Sequence, residues 1–359
     1  MTSSFTPHTL PIQNLDCTRL LTLVGKANSI LSNYNGFLSH VKTLSLLLNI
    51  VTTQEAVSSS RIEVVQISLS EVLEHEAVNL KDKRKVTDVE EVNNYKKALE
   101  YGVKELEKRP LCLDLIKEIH NILLQGVCGE NKVKGEFRKV QNYVYSYGAI
   151  SSQTRFTPPS PEKMPPALDE WGKYIYNEEE ETLIQLAVIH AQFALIHPFA
   201  DGNDRVGRVL IPLFLYARKY LHYPIFYLSE YFESHRCEYH DRLLNIATKD
   251  DWQGWIEFFL HAIINQSEIS QFRATRIVEL YEKTKTAIIN NNIADFLFKK
   301  SILTAPDFVK EGLVANSVSA NRMVLRLCDI GVLQKIHEGS GTRPTVYGFS
   351  GLLKLVESK

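Results

Sequence analysis

The sequence lacks any apolar run of about 20 residues, the length a membrane-crossing helix needs. Its start, "MTSSFTPHTLPIQNLDC", lacks the basic end and apolar stretch of a secretory leader. Both absences point to a cytoplasmic protein with no membrane partner. Cys-x-x-Cys pairs are missing too. The five cysteines, Cys17, Cys112, Cys128, Cys237 and Cys328, are odd in number and widely spaced, which argues against a disulfide framework or a zinc knuckle. Nor is there a bias of charge: 41 Lys and Arg face 42 Asp and Glu, a formal net charge of -1. Any nucleic-acid partner must then be held by a local patch. What the chain does have is length, since 359 residues exceed what one hydrophobic core usually supports.

Helical periodicity dominates, so a mainly α fold is expected, in three regions: 1–108, 109–290 and 291–359. In the first, "TTQEAVSSSRIEVV" reads as a helix despite its serines, and "VEEVNNYKKALEYGVKELEKRP" as a solvated amphipathic helix. In the second, "VKGEFRKVQNYVYSYGAISSQTRFTPPSP" alternates β-branched and aromatic residues with polar ones, which predicts a short hairpin ending at Pro158 and Pro159. "TLIQLAVIHAQFALI", residues 182–196, is apolar on nearly every side and predicts a buried central helix. Its His190 reads as a hydrogen-bonded core histidine. "VGRVLIPLFLYARKYL" predicts a second core helix kinked at Pro212. "DDWQGWIEFFLHAII" continues the core, followed by a polar stretch "NQSEISQF" and a long helix to about Asn292. The third region reads as three short helices, with turns at "SILTAPD" and "LVANS", and two strand-like runs flanking "EGSGTRP". That is the pattern of a winged helix-turn-helix.

Between the two core helices lies "HPFADGNDRVGR", residues 197–208. Gly202 and Asn203 sit where one helix stops and another starts, so backbone N–H groups there point outward as an anion site. Arg205 and Arg208 are three apart on the first turn of the new helix and can fork onto one string of phosphates. Asp201 is a hard carboxylate beside those phosphates, which suits Mg²⁺. His197 is the one evident base, because a neutral imidazole accepts a proton near physiological pH. These parts describe transfer of a phosphorus centre, with the nucleophile, a hydroxyl, supplied by the acceptor.

At these residues the chain resembles the Fic family, whose signature is His-x-Phe-x-Asp/Glu-Gly-Asn-Gly-Arg-x-x-Arg. His197, Phe199, Asp201, Gly202, Asn203, Arg205 and Arg208 match, while Asp204 stands where the family has glycine. The resemblance implies a Fic-type helical core with a β-hairpin flap and a C-terminal winged helix-turn-helix. It implies AMP transfer from ATP to a Tyr, Thr or Ser hydroxyl of a protein, itself included. His197 would then activate the hydroxyl and Asp201 would hold Mg²⁺. Phe199 would anchor the loop, Gly202, Asn203 and Arg205 would bind the α- and β-phosphates, and Arg208 the γ-phosphate. The hairpin around Val140 to Ser152 resembles the flap that aligns a target by strand addition. "SSSRIEV" resembles the family's inhibitory motif, with Ser59 and Glu63 in place and Val64 departing from the last position; Glu63 would pair with Arg208 and hold the enzyme off. Homodimers are a further implication of the resemblance.

Asp204 leaves two alternatives open. Its left-handed tolerance could preserve the loop while its charge weakens nucleotide binding, or the acid could help hold the metal or shift the donor away from ATP. Two other readings of the whole chain stand beside the transferase. One is a DNA-binding regulator whose Fic-like core only senses nucleotide; residues 293–359 carry nine Lys or Arg against six Asp or Glu, with Arg322 and Arg326 on the candidate recognition helix and Arg343 in the wing. A module that docks protein accounts equally well for those residues. The other is a Fic enzyme that transfers another phosphate-bearing group or removes AMP, with Glu63 positioning water.

Overall fold

The computed structural model describes all residues except 1–3, 42–43, 64, 79–81, 127–132, 146–153, 179, 289, 342 and 358–359. In chain order the elements are α1 (Cys17–His40), α2 (Leu44–Glu63), α3 (Leu69–Val78), α4 (Lys83–Leu106), α5 (Leu113–Leu123), β1 (Val144–Tyr145), β2 (Thr154–Phe156), α6 (Met164–Tyr174), α7 (Thr182–Ile196) and α8 (Asn203–Ala217). They continue with α9 (Ser229–Ser234), α10 (Arg236–Lys249), α11 (Trp252–Ala287), α12 (Asn291–Lys299), β3 (Ile302–Thr304), α13 (Ala305–Lys310), α14 (Ser317–Asp329), β4 (Gln334–His337), β5 (Val346–Gly348) and α15 (Ser350–Glu357). The fold is mainly α. No described helix is long and apolar enough to cross a membrane.

Packing divides the chain into two compact units: residues 1–36 with 94–268, and 37–93 with 269–359. The helical N-terminal region is thus shared between the units rather than kept as one. Its middle part is apolar on the faces that meet the C-terminal elements, and burial follows those faces. In the second unit Leu46 and Ile50 of α2 and Leu69 and Leu73 of α3 join one core with Phe296, Phe298, Phe308, Val324, Leu327 and Phe349. Its sheet is antiparallel in the order β3-β5-β4, with Leu303 opposite Tyr347 and Gln334 opposite Gly348. The three helices and the hairpin fall where the sequence places them. The strand β3, expected as a turn, and α15 were not foreseen; three residues of "ILT" are too few to show a period. The polar stretch "NQSEISQF" lies inside α11, which runs unbroken for 36 residues, and two of its polar residues, Gln266 and Ser267, are buried.

In the first unit α7 is the axis. Twelve of its fifteen residues are buried, and it packs against α6, α8 and α10. Its start is fixed by Glu181, whose carboxylate accepts from the Leu183 and Ile184 amides at 2.9 Å. Two tryptophans bury their rings and donate to α7 carbonyls, Trp171 to Ile189 at 2.9 Å and Trp255 to Ala187 at 2.8 Å. His190 is a hydrogen-bonded core residue as expected: Gly207 O lies 3.1 Å from Nδ1 and Tyr239 Oη 2.9 Å from Nε2. Pro212 is carried inside a continuous α8. β1 and β2 pair antiparallel, Val144 opposite Phe156; the remainder of the expected hairpin, 146–152, lies outside the described residues. Gly102 marks the closest approach of α4 to the core, because a Cβ there would stand 2.5 Å from Leu213 Cδ1 and 3.3 Å from Ile119 Cδ1. Gly102→Ile should therefore lower stability by about 1–3 kcal/mol through overpacking, read as a drop in denaturant midpoint; an unchanged midpoint would show that α4 can shift away.

Candidate functional site

The loop between α7 and α8 is built from two left-handed turns. α7 ends at His197, with φ 52° and ψ 59°, whose amide still donates to Phe193 O at 3.0 Å. α8 begins after Gly202, with φ 74°. Glycine is required at 202 by that backbone, whereas His197 adopts a conformation that costs most side chains of order 1–3 kcal/mol. Such strain persists only where neighbours hold it.

The neighbours that hold it are polar side chains bonded to the loop's own backbone. Arg138, 5% exposed, donates through Nε to His197 O at 2.9 Å, through Nη2 to Pro159 O at 2.6 Å and Ile196 O at 3.4 Å, and through Nη1 to Val140 O at 3.2 Å. His120, fully buried, receives the Gly135 amide on Nδ1 at 2.9 Å, so its proton sits on Nε2 and is donated to Asp201 O at 3.0 Å. The same ring stacks on Phe199 with centroids 3.8 Å apart and planes within 5°. Phe199 is itself fully buried, with Phe137 and Phe193 beside it. Asn203 closes the turn from the other side: its Oδ1 accepts from the Phe199 amide at 2.7 Å and its Nδ2 donates to Phe199 O at 2.8 Å, an oxygen that Asn142 Nδ2 also reaches at 3.0 Å.

All seven motif residues that match the signature, and Asp204, lie together in this one joint of the first unit. Asn203 spends its side chain on loop shape, so what it can offer a ligand is its backbone N–H. Gly202 provides no side-chain cap, and the first amides of α8 are the kind of open helix N-terminus that attracts anions. Arg205 and Arg208 are 3% and 1% exposed. Arg205 folds toward the loop, its Nη2 3.7 Å from where a Cβ on Gly202 would be; the charge of Arg208 acts on His190 and Asp204. Asp201 and Asp204 are half-buried. Burial would push the Asp204 carboxyl up, but His197, Arg208, His240 and His190 around it hold it below the usual carboxylate range. Asp204 is therefore ionised, in the first turn of α8, where the helix dipole favours it. Ser59 and Glu63 stand four apart at the end of α2, Ser59 buried and Glu63 half-buried, in the second unit; Val64 lies outside the described residues.

His197 is half-buried, and its Nδ1 lies 3.3 Å from Ala194 O. A carbonyl only accepts, so Nδ1 carries the proton of the neutral ring and the lone pair is on Nε2. Burial lowers the pKa of His197; Asp204 and the Ala194 carbonyl oppose this without reversing it. The ring is neutral at pH 7 and able to take a proton. The residues that sequence reasoning missed are Arg138, His120, Asn142 and His240. The first three act on backbone oxygens, which leave no side-chain pattern to read.

The sequence pattern of the Fic/DOC family matches residues 110–215, and that of the Fic/DOC family N-terminal region matches residues 21–104, together more than half of the chain. The chain belongs to the Fic/DOC family. It is 28% identical over 171 residues to a probable protein adenylyltransferase, aq_aa38, of Aquifex aeolicus (strain VF5), covering 47% of this chain and 49% of that protein. It is 30% identical over 112 residues to protein adenylyltransferase fic-1 of Caenorhabditis elegans, covering 30% of this chain and 20% of that one. The match thus spans about half the length of the first curated relative and a fifth of the second. Among solved structures, a Fic family protein from Desulfovibrio desulfuricans G20 has the same fold, with a TM-score of 0.63 at 17% identity over 95% of this chain and 98% of that one. Fic-1 of C. elegans gives 0.56 at 21% identity over 73% and 75%.

His120 and His190 have pKa values lowered to about 4, chiefly by burial. Unfolded histidine titrates near roughly 6.5, so the native state binds fewer protons between these values. Stability should be full above pH 6.5 and fall as pH drops toward 4, by about 3 kcal/mol for each of the two histidines. Thermal midpoints measured across that window check this, and a flat profile would contradict neutral burial.

Proposed function

We propose that this chain is a protein adenylyltransferase that moves AMP from ATP to a Tyr, Thr or Ser hydroxyl of a protein target, itself included, and that Glu63 restrains it. The observation that carries the reading is the half-buried His197, with its lone pair on Nε2, fixed beside a helix N-terminus without a side-chain cap and two buried arginines. The adenylyltransferase names of the curated relatives support it.

In the proposed reaction the polyphosphate lies on the first amides of α8, with Gly202, Asn203 and Arg205 on its α- and β-phosphates and Arg208 on the γ-phosphate. The acceptor oxygen forms a bond to the α-phosphorus, the bond from that phosphorus to the bridging oxygen of the β-phosphate breaks, and pyrophosphate leaves. The acceptor's proton goes to His197 Nε2. For Mg²⁺, the described residues contain no cluster of three ligating side chains. Mg²⁺ usually takes one or two carboxylates and borrows phosphate oxygens, so Asp201 alone, beside that helix end, fits. The ion would screen phosphate charge. Asp204 adds a negative charge that a glycine would not, against the anion.

Ser59 and Glu63 stand four apart at the end of α2, the spacing of the inhibitory motif, and that spacing supports self-restraint by Glu63. For the C-terminal module, proposed here as a winged helix-turn-helix over 291–359, the exposed face of α14 carries Val318 (70%) and Leu325 (61%) beside Arg322 and Arg326. Two bare aliphatic side chains favour a protein partner over duplex DNA.

Incubation with labelled ATP and Mg²⁺ tests the reading. Wild type should label weakly, Glu63→Gly more strongly, and His197→Ala should lose about 10²–10⁴-fold; equal labelling of wild type and His197→Ala would end the proposal. Mass spectrometry of the product fixes the group transferred and its acceptor. Asp204→Gly should raise nucleotide affinity or transfer rate, and loss of both would mean that the acid is needed.

A further inference from the structure

Among the described residues, Arg138 is the one side chain shown to touch the loop at His197 and both ends of the hairpin at once. It lies six residues before β1, and its guanidinium reaches Pro159, three residues after β2. Gln141 crosses the same gap, its Nε2 donating to Pro158 O at 3.1 Å. On the other side, Arg138 Nε and Nη2 take the carbonyls of His197 and Ile196, and its amide donates to Pro198 O at 2.9 Å. Among the described residues its hydrogen-bond partners are all backbone carbonyls. A buried cation is costly unless its hydrogen bonds are met. Here it is met at the C-terminal end of α7, where unpaired carbonyls and the negative end of the helix dipole gather. The planar fork matters, since a lysine ammonium cannot span three separate directions with fixed geometry.

We infer that Arg138 is a positioning residue that locks His197 in its left-handed turn and fastens both roots of the β1–β2 hairpin to that same turn, so that a target strand engaged by the hairpin is set in register with the base. This rests on the transferase reading for its kinetic consequence, and on geometry alone for its mechanical one. The base is strained, and among the described residues Arg138 is the charged side chain that hydrogen-bonds both its turn and the hairpin roots. His120 grips the exit of the loop at Asp201; Arg138 grips its entry.

The test uses the full-length chain with Arg138→Lys, which keeps the charge and loses the fork, and Arg138→Gln, which keeps two donors and loses the charge. Hydrogen exchange should accelerate by about tenfold or more at the amides of residues 139–144, 156, 157, 197 and 199 in Arg138→Lys, with α7 residues 186–193 and the α5 amides unchanged. Exchange that stays at the wild-type rate in the hairpin roots, or that rises throughout α7, overturns the locking role whatever the chemistry of the protein. In transfer assays against a target labelled by wild type, Arg138→Lys should lower kcat by up to about 10²-fold and raise KM for the target, while KM for ATP and ATP affinity by calorimetry stay within about twofold. A fall in ATP affinity matching the fall in kcat would mean a general structural role instead, and unchanged kcat with unchanged target KM would contradict the inference. Absence of transfer by both wild type and Glu63→Gly would sink the transferase reading while leaving the exchange result to decide the lock.

Discussion

The whole site depends on one constraint: two core helices must end and begin within six residues while their exposed backbone poles stay open. Helix ends carry unpaired N–H and C=O groups, and a buried joint must satisfy them or present them to something. The left-handed His197 closes α7 onto Phe193, and the left-handed Gly202 turns the chain into α8. Between them Phe199 is driven into the core and pinned on both backbone groups by Asn203. The result is asymmetric. The carbonyl end of α7 is taken up by Arg138, whereas the start of α8 has no side-chain cap from Gly202.

The charges follow from that asymmetry. Arg205 and Arg208 are buried beside an amide-rich helix start, a place where cations do not help the helix dipole and where an anionic ligand would relieve them. Asp204 is the acid on that turn, and four cationic or titratable groups around it keep it ionised. In a Fic-type loop this makes the chain unusual: the position that holds glycine in the signature carries a carboxylate tied electrostatically to His197. The two effects oppose each other, since the acid favours protonation of His197 and disfavours an incoming polyphosphate.

Much of this was legible in the residues. Helix ends, the apolar α7 and the i, i+3 arginine pair are local patterns with a fixed period, and the structure keeps them. The hydrogen-bonded role of His190 was readable for the same reason, as a polar residue in an otherwise apolar helix. What escaped reading is non-local. Arg138 and His120 lie about 60 and 80 residues before the oxygens they hold, and their partners are carbonyls, which every residue has. The strand β3 was hidden by its length, and the joining of α2 and α3 to the C-terminal core by the fact that an amphipathic helix does not say which core it faces.

The central claim is that polyphosphate lodges at the start of α8 with the His197 imidazole over it. A crystal of the full chain carrying Glu63→Gly, grown with a non-hydrolysable ATP analogue and Mg²⁺, tests this directly. The account predicts phosphate oxygens within hydrogen-bond distance of the first α8 amides and of Arg205, with His197 Nε2 facing the α-phosphorus. Nucleotide bound elsewhere, or an α8 start filled by side chains with His197 turned inward, would contradict it.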